Sequence, residues 1–408
     1  MAAGCSCRNR HLETDVILTS QQTNQNKKAK PPLEGITVVE LGHSVAAPYA
    51  GLILADLGAR VIKVENPKGG DYARGWGPPF WKDFSTVFLS LNRGKTGITV
   101  DFSSEKEAAA LRKLILEEAD GVIQNLRPGI LEKFGLTAEA MRAEKPSLIW
   151  CDIGAFGTAG PLAAKPGYDP LAQASTGIMS VTGEGDRPPV RVGISLIDMG
   201  AGMWTVIGFL SSLLAQRAGG SGAHLATSLY ETGLAWMTVP LAGYEGAGDV
   251  RKPHGSGTAE IVPYQAFQAA DGWLMIAAGN DNLFRRLCRA IGLDELAEHP
   301  DYATNTARVI NRNVLISRIQ EKVARINADE LGRILDAAGV PNAPLLAVDQ
   351  VARHPQTEAV GMLAPAIEGG PRLVGIPISF GGQRRRALGS APALGEHNAQ
   401  VGRDAKKL

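Results

Sequence analysis

Residues 36 to 65 limit the fold more sharply than any other stretch of this chain. Ile36 to Leu41 is a short β-branched run of strand type. A turn at Gly42, His43 and Ser44 leads into an apolar helical run from Pro48 to Leu57, which Gly58 closes. Arg60 to Glu65 is a second strand. Two strands joined through one helix make a βαβ unit, and that crossover favours a parallel sheet. The pattern recurs: a strand at Ile98 to Phe102, an amphipathic helix at Ser104 to Ala119 carrying Leu111, Leu114 and Ile115, then strands at Gly121 to Asn125 and Leu148 to Ile153. The sequence therefore predicts a doubly wound, Rossmann-like α/β domain with a parallel sheet over residues 33–225. Its first turn lacks the GxGxxG glycines of a dinucleotide fold. Glu65, at the end of the second strand, is then not read as a ribose ligand for nicotinamide or flavin.

The chain has 408 residues, too many for one core, and its pattern changes past residue 225. Residues 243–258 mix glycine with charge and read as a mobile loop or linker. Gln265 to Phe267 and Trp273 to Ala277 flank Asp271 and Gly272 as a hairpin, and helices follow from Asn282 to about Leu335. This predicts a linker and a smaller α+β domain over 226–330. Residues 331–408 are expected to return to the large domain, and residues 1–32 to be a disordered leader. A net charge of +1 offers no basic surface for nucleic acid. No apolar run reaches the ~20 residues of a membrane span. Four scattered cysteines suit a reducing compartment, so a cytoplasmic location is expected, or a mitochondrial one in a eukaryote. Neither the Cys5–Cys7 pair nor the seven histidines have metal-ligand spacing, and no metal is expected.

GxSxG, HExxH, a Walker loop and paired CxxC are all absent from the sequence. The residue with the most chemical promise is Asp198, a lone acid among small and apolar residues from Gly193 to Met203. The next run, Trp204 to Leu214, reads as a buried helix. Local features leave two readings open: a helix cap, or an ionised carboxylate able to attack an activated acyl group. Asp169, before another apolar run, is again cap-like, and Tyr168 is either packing or a site wall. Asn125 and Leu126 end a strand where ligands bind in open α/β sheets. Arg127 with Lys133 could grip phosphate or be ordinary surface charge. His254 lies beside the glycine loop, as a solvated side chain or a site residue.

The order and spacing of these segments resemble the class III coenzyme A transferases, the family of formyl-CoA and carnitine CoA-transferases. The likeness runs from Leu33 to His397 through Glu40-Leu41 with Ala47-Pro48, Arg60 to Glu65 with Gly70-Asp71, Leu91 to Lys95, Asn125 to Gly129, Gly167 to Asp169, the Asp198 segment and Leu394 to His397. The resemblance implies an interlocked homodimer and a transferase that takes a CoA thioester and a carboxylate as substrates, with no permanently bound cofactor. It implies that Asp198 is the nucleophile. It implies CoA contacts at Val45, Ala46, Asn66, Val100, Phe102, Ser103, Asn125, Leu126, Arg127, Lys133, Tyr168 and Asp169. Several relatives carry Arg at the place of Lys133 and a basic residue at the place of Asn66. The glycine loop matches the unbroken run of formyl-CoA transferases only at Gly255-Ser256-Gly257-Thr258, and His254, Gly255 and Gly257 are the substrate-loop residues that the resemblance implies. A related branch, the α-methylacyl-CoA racemases, pairs the aspartate with a histidine. Tyr168 stands at that position here, and a neutral phenol is a poor acid–base partner. Trp76 to Phe80 and the 254–267 segment resemble the branch acting on succinyl-CoA and glutarate, which implies dicarboxylates. Arg74, Arg191, Arg251, Lys252 and His254 are the candidate cations for a distal carboxylate.

Overall fold

The computed structural model describes residues 30–404, apart from residue 388. Six strands form one parallel sheet: β1 (Thr37–Leu41), β2 (Arg60–Glu65), β3 (Thr96–Thr99), β4 (Gly121–Gln124), β5 (Ile149–Gly154) and β6 (His224–Ser228), in the order β3-β2-β1-β4-β5-β6. Residues alternate between its two faces. Val38, Val61, Ile123 and Cys151 face one core, while Val39, Ile62, Val122 and Trp150 face the other. Helix α1 (Ala46–Asp56) covers the first face. It stops at Gly58, whose φ of +103° allows Gly58 N–H to reach the Ala55 carbonyl and Ala59 N–H the Leu54 carbonyl. Helix α2 (Glu105–Glu118) covers the second face with Leu111, Leu114 and Ile115, and Ser104 caps it by accepting the Glu107 N–H.

Three more helices build the site side. They are α3 (Asp169–Ser175), α4 (Leu196–Arg217) and α5 (Leu229–Trp236). Helix α4 is longer than the expected Trp204 to Leu214 and is apolar enough over its length to cross a membrane, but it packs on β5, β6 and α1. Nor is it buried all round. Val206, Phe209 and Leu213 enter the core, whereas Met203, Trp204, Ile207 and Leu214 are exposed.

The boundary expected after residue 225 falls inside β6, whose ladder to β5 runs from His224 to Ser228. The second core likewise continues past residue 330. It runs from Val262 to Val340 and packs β7 (Tyr264–Gln268), β8 (Trp273–Ala277) and β9 (Asn342–Pro344) against helices α6 (Asp281–Ala290), α7 (Arg312–Val323) and α8 (Ala328–Ala337). The segment read as a loop at 243–258 is helical over its first part, Thr238–Ala247. The rest is tied down: Gly255 N–H reaches the Gly183 carbonyl, Ser256 Oγ accepts the Ala266 N–H, and Arg312 donates to the Thr258 and Ala259 carbonyls.

The chain then returns to the large domain. Asp56 and Arg93 form a buried two-point ion pair, which also holds Ile376 N–H, Ala387 N–H and the Val374 and Ala387 carbonyls. His397 and Asn398 bond to Gly97 and Thr99 along the open edge of β3. Most of the leader expected at 1–32 lies outside the described residues.

Candidate active site

The sheet order reverses between β1 and β4, and in open α/β sheets ligands bind beyond the carboxyl ends of the strands at such a point. Asn125 bridges that point. Its Oδ1 accepts the His43 N–H at 2.9 Å, and its Nδ2 donates to the His43 carbonyl at 3.0 Å. Ser44 has φ +68°, a conformation few non-glycine residues hold without support. Asp71 supplies the support by accepting the Ser44 N–H at 2.8 Å. The His43 ring lies edge-on to Tyr72 with centroids 5.2 Å apart, and burial lowers its pKa.

Beneath this loop lies a charge cluster that the sequence analysis missed. Lys63 Nζ donates to Glu40 at 3.0 Å, to the Gly42 carbonyl at 2.9 Å and to Asp71 at 2.9 Å. Lys95 Nζ donates to the other Glu40 oxygen at 2.7 Å, to the Pro48 carbonyl at 2.8 Å and to Asn92 at 2.9 Å. All four ionisable groups are buried. Burial opposes charge on both lysines, yet Lys63, with two acid partners, is held above its ordinary pKa, while Lys95, with one, is pushed down to about 8. The readable signal was a charge inside strands that a doubly covered parallel sheet should fill with apolar residues.

Asp198 is the third residue of α4 and does not cap it; Ser195 holds the capping position and makes no side-chain cap. The cap comes from α3. Asp169 Oδ2 accepts the N–H of Ile197 at 2.7 Å and of Asp198 at 3.2 Å. Its Oδ1 accepts from Gln173 Nε2 at 2.5 Å, and Gln173 Oε1 holds the Val192 N–H at 2.8 Å. Asp169 is thus buried with both oxygens engaged. The Asp198 carboxylate accepts no hydrogen bond from the described residues. Burial, and then the charge of Asp169, raise its pKa to about 7. Desolvation here opposes the ionisation that a helix start favours.

The other expected residues lie mostly along one sheet edge. Val45 and Ala46 start α1, Asn66 follows β2, Val100 to Ser103 follow β3, and Asn125 to Arg127 follow β4. Phe102 packs on Phe134 beside Lys133, and Asn66, Ser103, Arg127, Lys133 and Tyr168 are exposed. Val45, Ala46 and Val100 are buried, so their side chains are packing residues and only their backbone can meet a ligand. Helix α4 joins this edge at Gly202, where a Cβ would lie 2.7 Å from the Ala46 carbonyl oxygen. Asp198 lies one turn earlier on the same face, about 6 Å away along the helix.

Of the candidate cations, Arg74 is held by Glu65 at 2.7 and 2.8 Å and Arg251 is paired with Glu260. Among the described residues Arg191 and Lys252 have no acidic partner. His254 is exposed and its pKa is lowered, first by burial of its ring.

A doubly wound sheet with a half-buried, unbonded carboxylate on the helix that packs against α1 is the scaffold of a ligand-binding α/β protein. The chain belongs to CoA-transferase family III, whose model matches residues 33–398. It is 37% identical over 381 residues to the succinate–glutarate CoA-transferase of Agrobacterium fabrum, covering 91% of this chain and 95% of that protein. It is 36% identical over 376 residues to the acetyl-CoA:oxalate CoA-transferase of Acetobacter aceti, covering 92% and 96%. The crystal structure of a CaiB/BaiF family protein from Brucella suis superposes with a TM-score of 0.82 at 38% identity, covering 91% and 99%. The protein is a family III CoA-transferase.

Proposed function

We propose that this transferase moves CoA from succinyl-CoA to a second dicarboxylic acid through a thioester on Asp198. The observation that carries the reading is the Asp198 carboxylate itself, desolvated and left without a hydrogen-bond donor on the elements that surround it. Such a group has no structural duty, and a poorly solvated carboxylate is a stronger nucleophile than one in water. The named succinate–glutarate relative supports the substrate class.

The steps balance without an outside proton. An Asp198 oxygen attacks the thioester carbon, the C–S bond breaks, and CoA leaves as thiolate with an acyl–aspartyl anhydride behind it. The thiolate attacks Cγ of Asp198 and expels the donor carboxylate. The acceptor carboxylate then attacks the same Cγ and releases the thiolate, which takes the acceptor acyl group and frees Asp198. In this reading Arg127 and Lys133, both exposed, would meet the phosphates of CoA. The backbone at Val45 and Ala46 would face the chain leading to the thioester.

The working unit in this reading is an interlocked homodimer. Met203, Trp204, Ile207 and Leu214 on α4 and Trp236 on α5 form an exposed apolar stripe, of the kind that marks an interface. A cavity of about 230 Å³ lined by Trp204, Thr232 and Ala235 opens beside that stripe, and Asp198 is not part of its lining. Cys151 and Cys288 are unpaired and buried, in keeping with a reducing cytoplasm or mitochondrial matrix.

The test is to incubate the protein with succinyl-CoA and measure the intact mass, with and without hydroxylamine. A CoA adduct that maps to Asp198, is cleaved by hydroxylamine and is absent in Asp198→Ala supports the reading. Full transfer by Asp198→Ala overturns it. A panel of carboxylic acids as acceptors then defines the pair.

A further inference from the structure

We propose that Asp169 and Gln173 form a strap that positions Asp198 and sets its readiness as a nucleophile, without either residue touching substrate. The inference rests on Asp198 being the nucleophile. Four hydrogen bonds make the strap. Asp169 Oδ2 holds the N–H groups of Ile197 and Asp198, Gln173 Nε2 holds Asp169 Oδ1, and Gln173 Oε1 holds the Val192 N–H. The strap therefore grips the chain on both sides of residues 193–195, the turn that delivers Asp198. Asp169 is 2% exposed and Gln173 is fully buried, so neither is open to a ligand.

One carboxylate here serves two ends. It replaces the missing side-chain cap of α4, which fixes the backbone that carries Asp198. It also puts a negative charge, itself well satisfied by donors, beside a second carboxylate that has none. A like charge in a desolvated site disfavours ionisation of its neighbour, and the more basic carboxylate is the better nucleophile once ionised. Other charged or titratable groups sit on the elements packed against α4: Tyr49 and Asp56 on α1, Asp152 on β5, His224 on β6 and Glu231 on α5. Asp169 is the one that perturbs Asp198.

The test compares two variants in the exchange of isotope-labelled succinate into succinyl-CoA. Asp169→Asn keeps one oxygen acceptor for the α4 N–H groups, removes the charge and sets its amide donor against Gln173 Nε2, so the acid limb reads the charge and kcat reads both changes. Its acid limb in kcat/KM should move about one pH unit lower, with kcat down roughly tenfold and KM for succinyl-CoA little changed. Gln173→Leu loosens the strap and leaves the charge, so kcat should fall by a similar factor with the acid limb unmoved. Circular dichroism confirms that each variant folds, and either one suffices if the other does not. A wild-type pH profile and kcat in Asp169→Asn, or a wild-type kcat in Gln173→Leu, overturns the inference. If Asp198→Ala also stays active, the nucleophile reading has failed; if Asp198→Ala is inert, only the strap has.

Discussion

Asp169 and Asp198 share one helix start, and Asp169 Oδ2 accepts the backbone N–H of Asp198 at 3.2 Å while raising the pKa of its side chain. The helix gains its cap from a residue 29 positions earlier in the chain. The cap's charge then falls on the one carboxylate nearby that has nothing to neutralise it.

A pH dependence follows for both stability and activity. With a folded pKa of about 7, above that of an unfolded aspartate, Asp198 holds its proton in the native state at pH values where the unfolded chain has lost it. Its contribution to stability is therefore fully present below the unfolded pKa and is lost as pH rises through 7. Asp198→Asn should be more stable than the wild type at pH 8, by about 2 kcal/mol once solvent screening is allowed for, and by less at pH 5. Urea titrations at both pH values measure this; equal differences at the two would disprove it. Activity runs the opposite way, with kcat/KM rising through pH 7 as the nucleophile ionises.

The Asp56–Arg93 pair fastens the returning C-terminal segment. Arg93→Met strands a buried carboxylate and removes two carbonyl contacts, at Val374 and Ala387. A loss of about 3–5 kcal/mol is expected, together with faster proteolysis between residues 374 and 387. Limited trypsin digestion with mass mapping reads the second effect. An unchanged cleavage pattern would mean that the segment is held by other contacts.

Five strands of the sheet were legible because each carries β-branched residues between helices with their own stripe and stop; β6, with Thr227 as its one β-branched residue, carries no such signal. Ser104 and Gly58 act within a few residues of the ends they set. The site was less legible because its determinants are distant in sequence. Asp198 looked like a cap since the true cap, Asp169, is brought in by α3 packing on α4. Val45, Ala46 and Val100 gave no warning that they would be buried. The predicted strand to Phe102 stops at Thr99, because the Asp101 side chain takes the Ser103 N–H and turns the chain. The second core runs past the expected C-terminal limit at residue 330 because β9, three residues long, is too short to show a period.

The apolar stripe on α4 predicts an assembly. Ile207 is 51% exposed in the single chain, one turn after Trp204 on the way to Leu214. Ile207→Asp leaves the monomer's own core untouched but places a charge in the proposed interface. It should shift the protein from dimer to monomer by light scattering and abolish exchange activity. A monomeric wild type, or a dimer unaffected by the charge, would rule out this face.

Gly51 tests the buried charge cluster most directly. It lies inside α1, and a Cβ there would sit 1.9 Å from Glu40 Oε2 and 3.1 Å from Lys95 Nζ. In an open helix, Gly→Ala is stabilising by about 1 kcal/mol. Here the methyl must push the Glu40 carboxylate off Lys95, which leaves a buried ammonium short of its one acid partner among the described residues. Gly51→Ala should therefore destabilise by about 2–4 kcal/mol, against its helix propensity. Because Lys63 also grips Glu40 and the Gly42 carbonyl, the disturbance should reach the His43–Ser44 turn and raise KM for the acyl-CoA. Urea unfolding and steady-state kinetics measure the two effects separately. A variant as stable as the wild type would show that Glu40 can swing aside, and that the cluster does not hold the crevice loop in place.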